Sequence, residues 1–155
     1  TTRKPRHDGE FGHIFVDEKE FNDLGELVAY TEYNGYKYGT TATQLDECSI
    51  YVIDVPGVET LLQRYQTNRT IIIIYFDTTV YTRINRMIDR GDSDMAIISR
   101  LLQDEKDDWF KQLDQLVWHY SHIIKKNVDL YCVNANSNQD SVLSMVRYYM
   151  EVEEW

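Results

Sequence analysis

Two stretches of this chain are dense with β-branched and aromatic side chains and show no alternation: Ile50-Tyr51-Val52-Ile53, within residues 49–55, and Ile71-Ile72-Ile73-Ile74, within residues 70–76. A strand with one wet face alternates apolar and polar residues. A continuous run suits a strand buried on both faces, and therefore a parallel sheet covered by helices. Between and after these runs the period becomes helical. Ile84, Met87 and Ile88 share a face, as do Ile97, Ile98, Leu101 and Leu102. Residues 129–133 read as a further short strand, and Val142, Met145, Val146 and Tyr149 mark a closing helix. Strands alternating with helices indicate an α/β fold with a parallel sheet.

The first third of the chain follows another pattern. Residues 13–16 (His-Ile-Phe-Val) read as a short strand, and Asp17 followed by Glu20 is a capping-box pattern for a helix over 18–23. Residues 27–38 are rich in Tyr, Val and Thr around Asn34-Gly35, which predicts a β-hairpin with a tight turn at the glycine. A small, mostly β insertion thus precedes the α/β part.

Composition narrows the function classes. The chain has 155 residues and a net charge of −10, with 43% apolar and 13% aromatic content. So many apolar and aromatic residues exclude disorder, and the acidity argues against broad, non-specific binding to DNA, RNA or anionic membranes. No apolar run approaches the roughly 20 residues of a membrane-spanning helix. Two cysteines, Cys48 and Cys132, are too few for a disulfide framework, so a reducing cytoplasm is the expected compartment.

Several residues could do chemistry. Arg3 and Arg6, stiffened by Pro5, could both grip one phosphate through their guanidinium forks, or form a basic surface stretch. Tyr38-Gly39-Thr40 sets a phenol, a bare backbone and a hydroxyl in sequence. Asp54 ends the 49–55 run, where parallel sheets bind ligands, or else caps a helix that begins near Pro56. Arg83, Arg86, Arg90 and Arg100 surround Gly91-Asp92, either as solvated helix charges or as a hinged clamp on a moving phosphoryl group. His119 and His122 have no third ligand of convincing spacing, so no metal site is expected. Residues 104–108, mostly charged, read as a solvated helix face.

Taken in order, these segments resemble the guanylate kinases. Thr1-Thr2-Arg3-Lys4-Pro5-Arg6 is similar to the family's T-T-R-x-P-R signature, and residues 32–40 (E-Y-N-G-Y-K-Y-G-T) to its hairpin ending in Y-G-T or Y-G-S. Ile53-Asp54-Val55-Pro56-Gly57 stands where the family has I-D-x-Q-G, Arg86, Arg90-Gly91 and Arg100 match its lid, and Val133-Asn134 resembles its late V-N motif. The resemblance implies a P-loop kinase-like parallel sheet flanked by helices. It also implies a monophosphate-binding subdomain over 1–47, a core over 48–155 and a helical lid at about 84–102. It implies transfer of the ATP γ-phosphoryl group, with Mg2+, to GMP, dGMP or a related nucleoside monophosphate in the cytoplasm. Arg3, Arg6, His13 and Tyr38 would hold the acceptor phosphate, and Thr40 and Asp54 would face the base. Arg86, Arg90 and Arg100 would act on the moving phosphoryl group, with Arg90 and Asn134 also serving ATP. The alternative within the resemblance is a non-catalytic domain that holds a phosphorylated peptide on the same arginine and tyrosine site.

The departures matter as much. Counting back from Tyr38, the family's guanine-reading glutamate falls on Ala29, while Glu32 alternates to the opposite face. Val52 replaces the first Asp of a D-x-D pattern, His13 replaces a tyrosine, and either Asp8 or Glu10 could fill the acidic slot after Arg6. No G-x-x-x-x-G-K-[ST] occurs in these 155 residues. In the family a strand of that segment lies between the two β-branched runs. The expectation is therefore a portion of a longer protein, or a partner chain in the gap, with no ATP turnover by this chain alone.

Overall fold

A computed structural model describes residues 1–104, 108–136 and 139–152. The chain folds as two compact units, Thr1–Thr67 and Asn68–Trp155. Residues 48–67 group with the first unit because their helix packs on its hairpin.

In the first unit, α1 (Glu18–Asn22) begins with the full reciprocal capping box: the Asp17 side chain accepts from the Glu20 backbone N–H, and the Glu20 carboxylate accepts from the Asp17 N–H. Strands β1 (Ala29–Tyr33) and β2 (Tyr36–Thr40) pair antiparallel across Asn34-Gly35. Both turn residues have positive φ, 51° and 75°, the conformation a two-residue type I′ connection needs. Helix α2 (Ala42–Asp46) has a second capping box, between Thr41 and Gln44. Helix α3 (Val55–Arg64) is capped by Asp54 and carries Pro56 in its first turn. It buries Val58, Leu61 and Leu62 against the hairpin side of the unit, whose core also holds Phe21, Val28 and Ala29.

The second unit is built on β3 (Ile71–Asp77) and β4 (Val128–Asn134), paired in parallel from Ile71↔Val128 to Asp77↔Asn134. Around them run α4 (Val80–Asp89), α5 (Asp94–Asp104), α6 (Trp109–Trp118) with a π-helical turn over His119–Ile123, and α7 (Gln139–Val152). Helix α4 ends in a Schellman motif. Gly91 N–H donates to Ile88 O and Asp92 N–H to Met87 O, with Gly91 at φ 84°. Mixed α/β architecture with a parallel two-stranded sheet is thus established, compatible with a kinase-like fold. None of the described helices is long and apolar enough to cross a membrane.

Three expectations fail. Residues 49–55 form no strand: Ile50 and Val52 are 70% and 90% exposed, and among the described residues no strand lies beside them. A β-branched run favours an extended backbone, but a ladder needs a neighbour to bond to. Residues 13–16 likewise form no strand, being tied to the start of the chain by single bonds such as Val16 N–H to Thr1 O. Strand β3 is buried fully only at Ile73, since among the described residues it is paired along one edge alone, and Phe76 is exposed. On the helices, Met87 and Ile97 are buried, whereas Ile88, Ile98, Leu102 and Met145 are exposed. The 104–108 segment lies partly outside the described residues.

The hairpin leaves little room at Gly39, where an added Cβ would lie 2.9 Å from Leu27 Cδ1 and 3.1 Å from the Ala29 carbonyl oxygen. Gly39→Ala is expected to destabilise the chain by about 1–3 kcal/mol, the usual cost of overpacking. An unchanged urea midpoint at constant m-value would contradict that packing.

Candidate functional site

The hairpin register decides which side chains meet. Ala29 faces Thr40, Thr31 faces Tyr38 and Tyr33 faces Tyr36, so these six share one face, while Tyr30, Glu32, Lys37 and Gly39 lie on the other. Helix α1 covers the second face: Phe21 packs near Gly39 and Tyr30, and Lys37 Nζ reaches Glu18 at 2.7 Å. Glu32 therefore cannot replace the side chain missing at Ala29. It instead accepts a hydrogen bond from the Tyr30 hydroxyl, which pushes the phenol up to about 12.

The start of the chain docks against β2. Thr1 Oγ1 and Thr2 N–H both donate to Lys37 O, at 2.9 and 3.1 Å, and Lys37 N–H donates to Thr2 Oγ1 at 2.9 Å. This places Arg3 in a nearly closed setting, 9% exposed, with its guanidinium 5.2 Å from the centre of the Phe15 ring. The fork is bidentate on Glu10, at 3.1 and 2.7 Å, and Nη1 also donates to Lys4 O. Glu10 further accepts from the Arg6 backbone N–H at 2.6 Å. Glu10 thus fills the acidic slot, and Asp8 does not contact Arg3.

These donors hold the Glu10 carboxyl down at about 2, the Arg3 hydrogen bond first and the Arg6 backbone second. Arg3 is pushed further up, chiefly by Glu10, with a smaller contribution from the Tyr38 phenol. Tyr38 also meets the edge of the His13 ring at 6.1 Å between centroids. His13 is lowered by partial burial and then by Arg3, which favours the neutral imidazole at neutral pH. Arg6 is exposed, with Nη1 3.6 Å from Glu10. Arg3, Arg6, His13 and Tyr38 therefore form one cluster.

Thr40 and Asp54 divide in their surroundings. Thr40 is 5% exposed, and its hydroxyl donates to Gln44 Oε1 at 3.2 Å inside the α2 cap. Asp54 is exposed and does two things at once: Oδ1 accepts from Gly57 N–H and Oδ2 accepts from the Thr31 hydroxyl, both at 2.9 Å. The helix-cap reading of Asp54 holds, and the same carboxylate also reaches the hairpin. Thr31 is the residue that sequence reasoning missed. Its signal was present as the position two residues beyond Ala29 and opposite Tyr38.

In the second unit the carboxyl ends of β3 and β4 gather another group. Ala135 N–H donates to Asp77 O at 2.8 Å, and Arg86 Nη2 donates to Ala135 O at 2.6 Å. Asn134 Oδ1 accepts from both nitrogens of Asn136, and Asn136 Oδ1 accepts from Thr79 N–H at 2.8 Å. Arg90 grips Asp92 with Nε and Nη2, just beyond the α4 terminus. Arg100 is half-buried on α5. Arg83 donates to Asp104 at 2.5 Å beside a cavity of about 270 Å3 lined by Asp77, Trp109 and Phe110, among others. Among the described residues no three His, Cys, Asp or Glu side chains converge as a metal site.

Comparison with known proteins agrees with the motif resemblance. The chain is 32% identical over 112 residues to a guanylate kinase of Geobacter metallireducens, covering 64% of this chain and 54% of that protein. The chain thus spans about half the length of the curated relative it matches. No family model matches the chain.

Because Glu10 is lowered from 4.5 to about 2, its pairing stabilises the fold fully above pH 4.5, and that stabilisation fades as pH falls toward 2. The stability difference between the native chain and Glu10→Gln should be constant above pH 5 and shrink through that window. A difference that does not vary with pH there would remove the Arg3–Glu10 pair as its source.

Proposed function

We propose that the chain forms the acceptor-binding and lid part of a guanylate kinase-like nucleoside-monophosphate kinase, which moves the ATP γ-phosphoryl group to GMP, dGMP or a related acceptor once a phosphate-binding loop from outside these 155 residues is supplied. The observation that carries this reading is the Arg3–Tyr38 cluster on the hairpin face, with Thr31 directly opposite Tyr38 and bonded to the helix-capping carboxylate of Asp54. Such a face suits a monophosphate: cationic forks for the phosphate at one end and polar groups for a base at the other. Arg3, Arg6, His13 and Tyr38 bind the phosphate, with Glu10 holding the Arg3 fork in orientation. Asp54 faces the base, and Thr40 supports that wall from behind.

In the second unit, Arg86 and Asn134 stand at the carboxyl end of a parallel strand pair, the usual ligand edge of α/β sheets, and fit a nucleotide. ATP with Mg2+ would supply the phosphoryl group and part of the charge neutralisation. Arg86, Arg90 and Arg100 neutralise charge on the transferred group, and residues 84–102 serve as the lid that excludes water. Catalysis then rests on positioning and electrostatics, with no covalent enzyme intermediate. A cytoplasmic setting, with subdomains over 1–47 and 48–155, belongs to the same proposal.

Ala29 favours a second reading, a non-catalytic domain that holds a phosphorylated peptide, because such a ligand needs no base-reading side chain. Calorimetric titration of the chain with GMP, dGMP, AMP, CMP and UMP, beside a phosphoserine peptide, separates the two, and a coupled ADP-release assay of the full-length protein tests turnover. Arg3→Ala should weaken monophosphate binding by about 10–100-fold, the scale of a charged hydrogen bond. Unchanged affinity would remove Arg3 from the site, and binding of the peptide alone would replace the kinase reading with the second.

A further inference from the structure

We propose that Thr31 selects the base of the bound monophosphate, its hydroxyl accepting a hydrogen bond from the 2-amino group of guanine. The inference rests on the monophosphate reading above and names the residue that gives it base preference. On the hairpin face, with Tyr33 and Tyr36 set on the turn side of Tyr38, three positions lie level with Tyr38 or beyond it from the turn: Ala29, Thr31 and Thr40. Ala29 is 1% exposed and has no polar side-chain atom, and Thr40 is buried with its hydroxyl turned to Gln44. Thr31 is half-buried and directly opposite Tyr38, a separation of about 5 Å between Cβ atoms for a cross-strand pair.

Its hydroxyl also has a fixed polarity. A hydroxyl has one proton to give, and a carboxylate can only accept. The Thr31 proton is directed to Asp54 Oδ2, and Asp54 is itself anchored by Gly57 N–H on its other oxygen. What remains toward a ligand is lone pairs, on Thr31 and on the exposed Asp54 carboxylate. The couple therefore reads donors. A base that presents an amino group satisfies it, and one that lacks the group leaves a desolvated acceptor unpaired.

GMP and IMP differ only by the 2-amino group, so their affinities for the whole chain, measured by calorimetry, test the inference. GMP should bind at least about 10-fold more tightly than IMP. Thr31→Val, which keeps the shape and the β-branch, should bring the two within about 3-fold by weakening GMP, and Thr31→Ser should restore the preference. Equal affinities in the unaltered chain overturn the inference and leave the monophosphate reading standing. So does a preference that survives Thr31→Val, or one that Thr31→Ser fails to restore. Binding of neither nucleotide overturns both.

Discussion

Two consecutive positive φ angles, at Asn34 and Gly35, hold the first unit to its geometry. A two-residue turn permits one register, and a shift by one residue would move every side chain to the other face. That register sets Thr31 against Tyr38 and Ala29 against Thr40. It also exposes the Lys37 backbone to which the first two threonines bind, and Arg3 follows from there. The candidate phosphate grip is thus organised by the turn two residues before Lys37, through one backbone bond and two bonds that need the hydroxyls of Thr1 and Thr2. The particular residues then decide what the face can hold.

Much of this was legible in the sequence because it is local. The Asp17/Glu20 capping box and the Asn-Gly turn each act within a few residues, and each formed as read. The strands read over 70–76 and 129–133 also formed, as Ile71–Asp77 and Val128–Asn134. The 49–55 run failed for the opposite reason. Its composition is as strand-like as that of 71–77, yet a strand exists only beside another strand, and a propensity contains no information about neighbours. Thr31 was missed by a related blindness. Its importance lies in a bond to a residue 23 positions away, which no spacing rule connects.

The arginines show what the folded chain adds to a motif. Read as a sequence they are free cations. In the structure Arg3 is held by Glu10, Arg83 by Asp104, Arg86 by the Ala135 carbonyl and Arg90 by Asp92. Internal acceptors fix the orientation of long side chains that would otherwise lose considerable rotamer freedom on meeting a ligand. A planar fork set in advance has less order left to gain.

That arrangement also has a kinetic side. A guanidinium paired with a carboxylate projects almost no field beyond its immediate surroundings, and the chain around it carries a net charge of −10. Long-range attraction for an anion at this end of the chain therefore falls to the exposed cations beside it, Lys4 and Arg6, against a sequence that is acidic overall. The Arg3–Glu10 pair itself thus adds little pull at a distance and matters at close range, where Nε of the oriented guanidinium has no partner among the described residues.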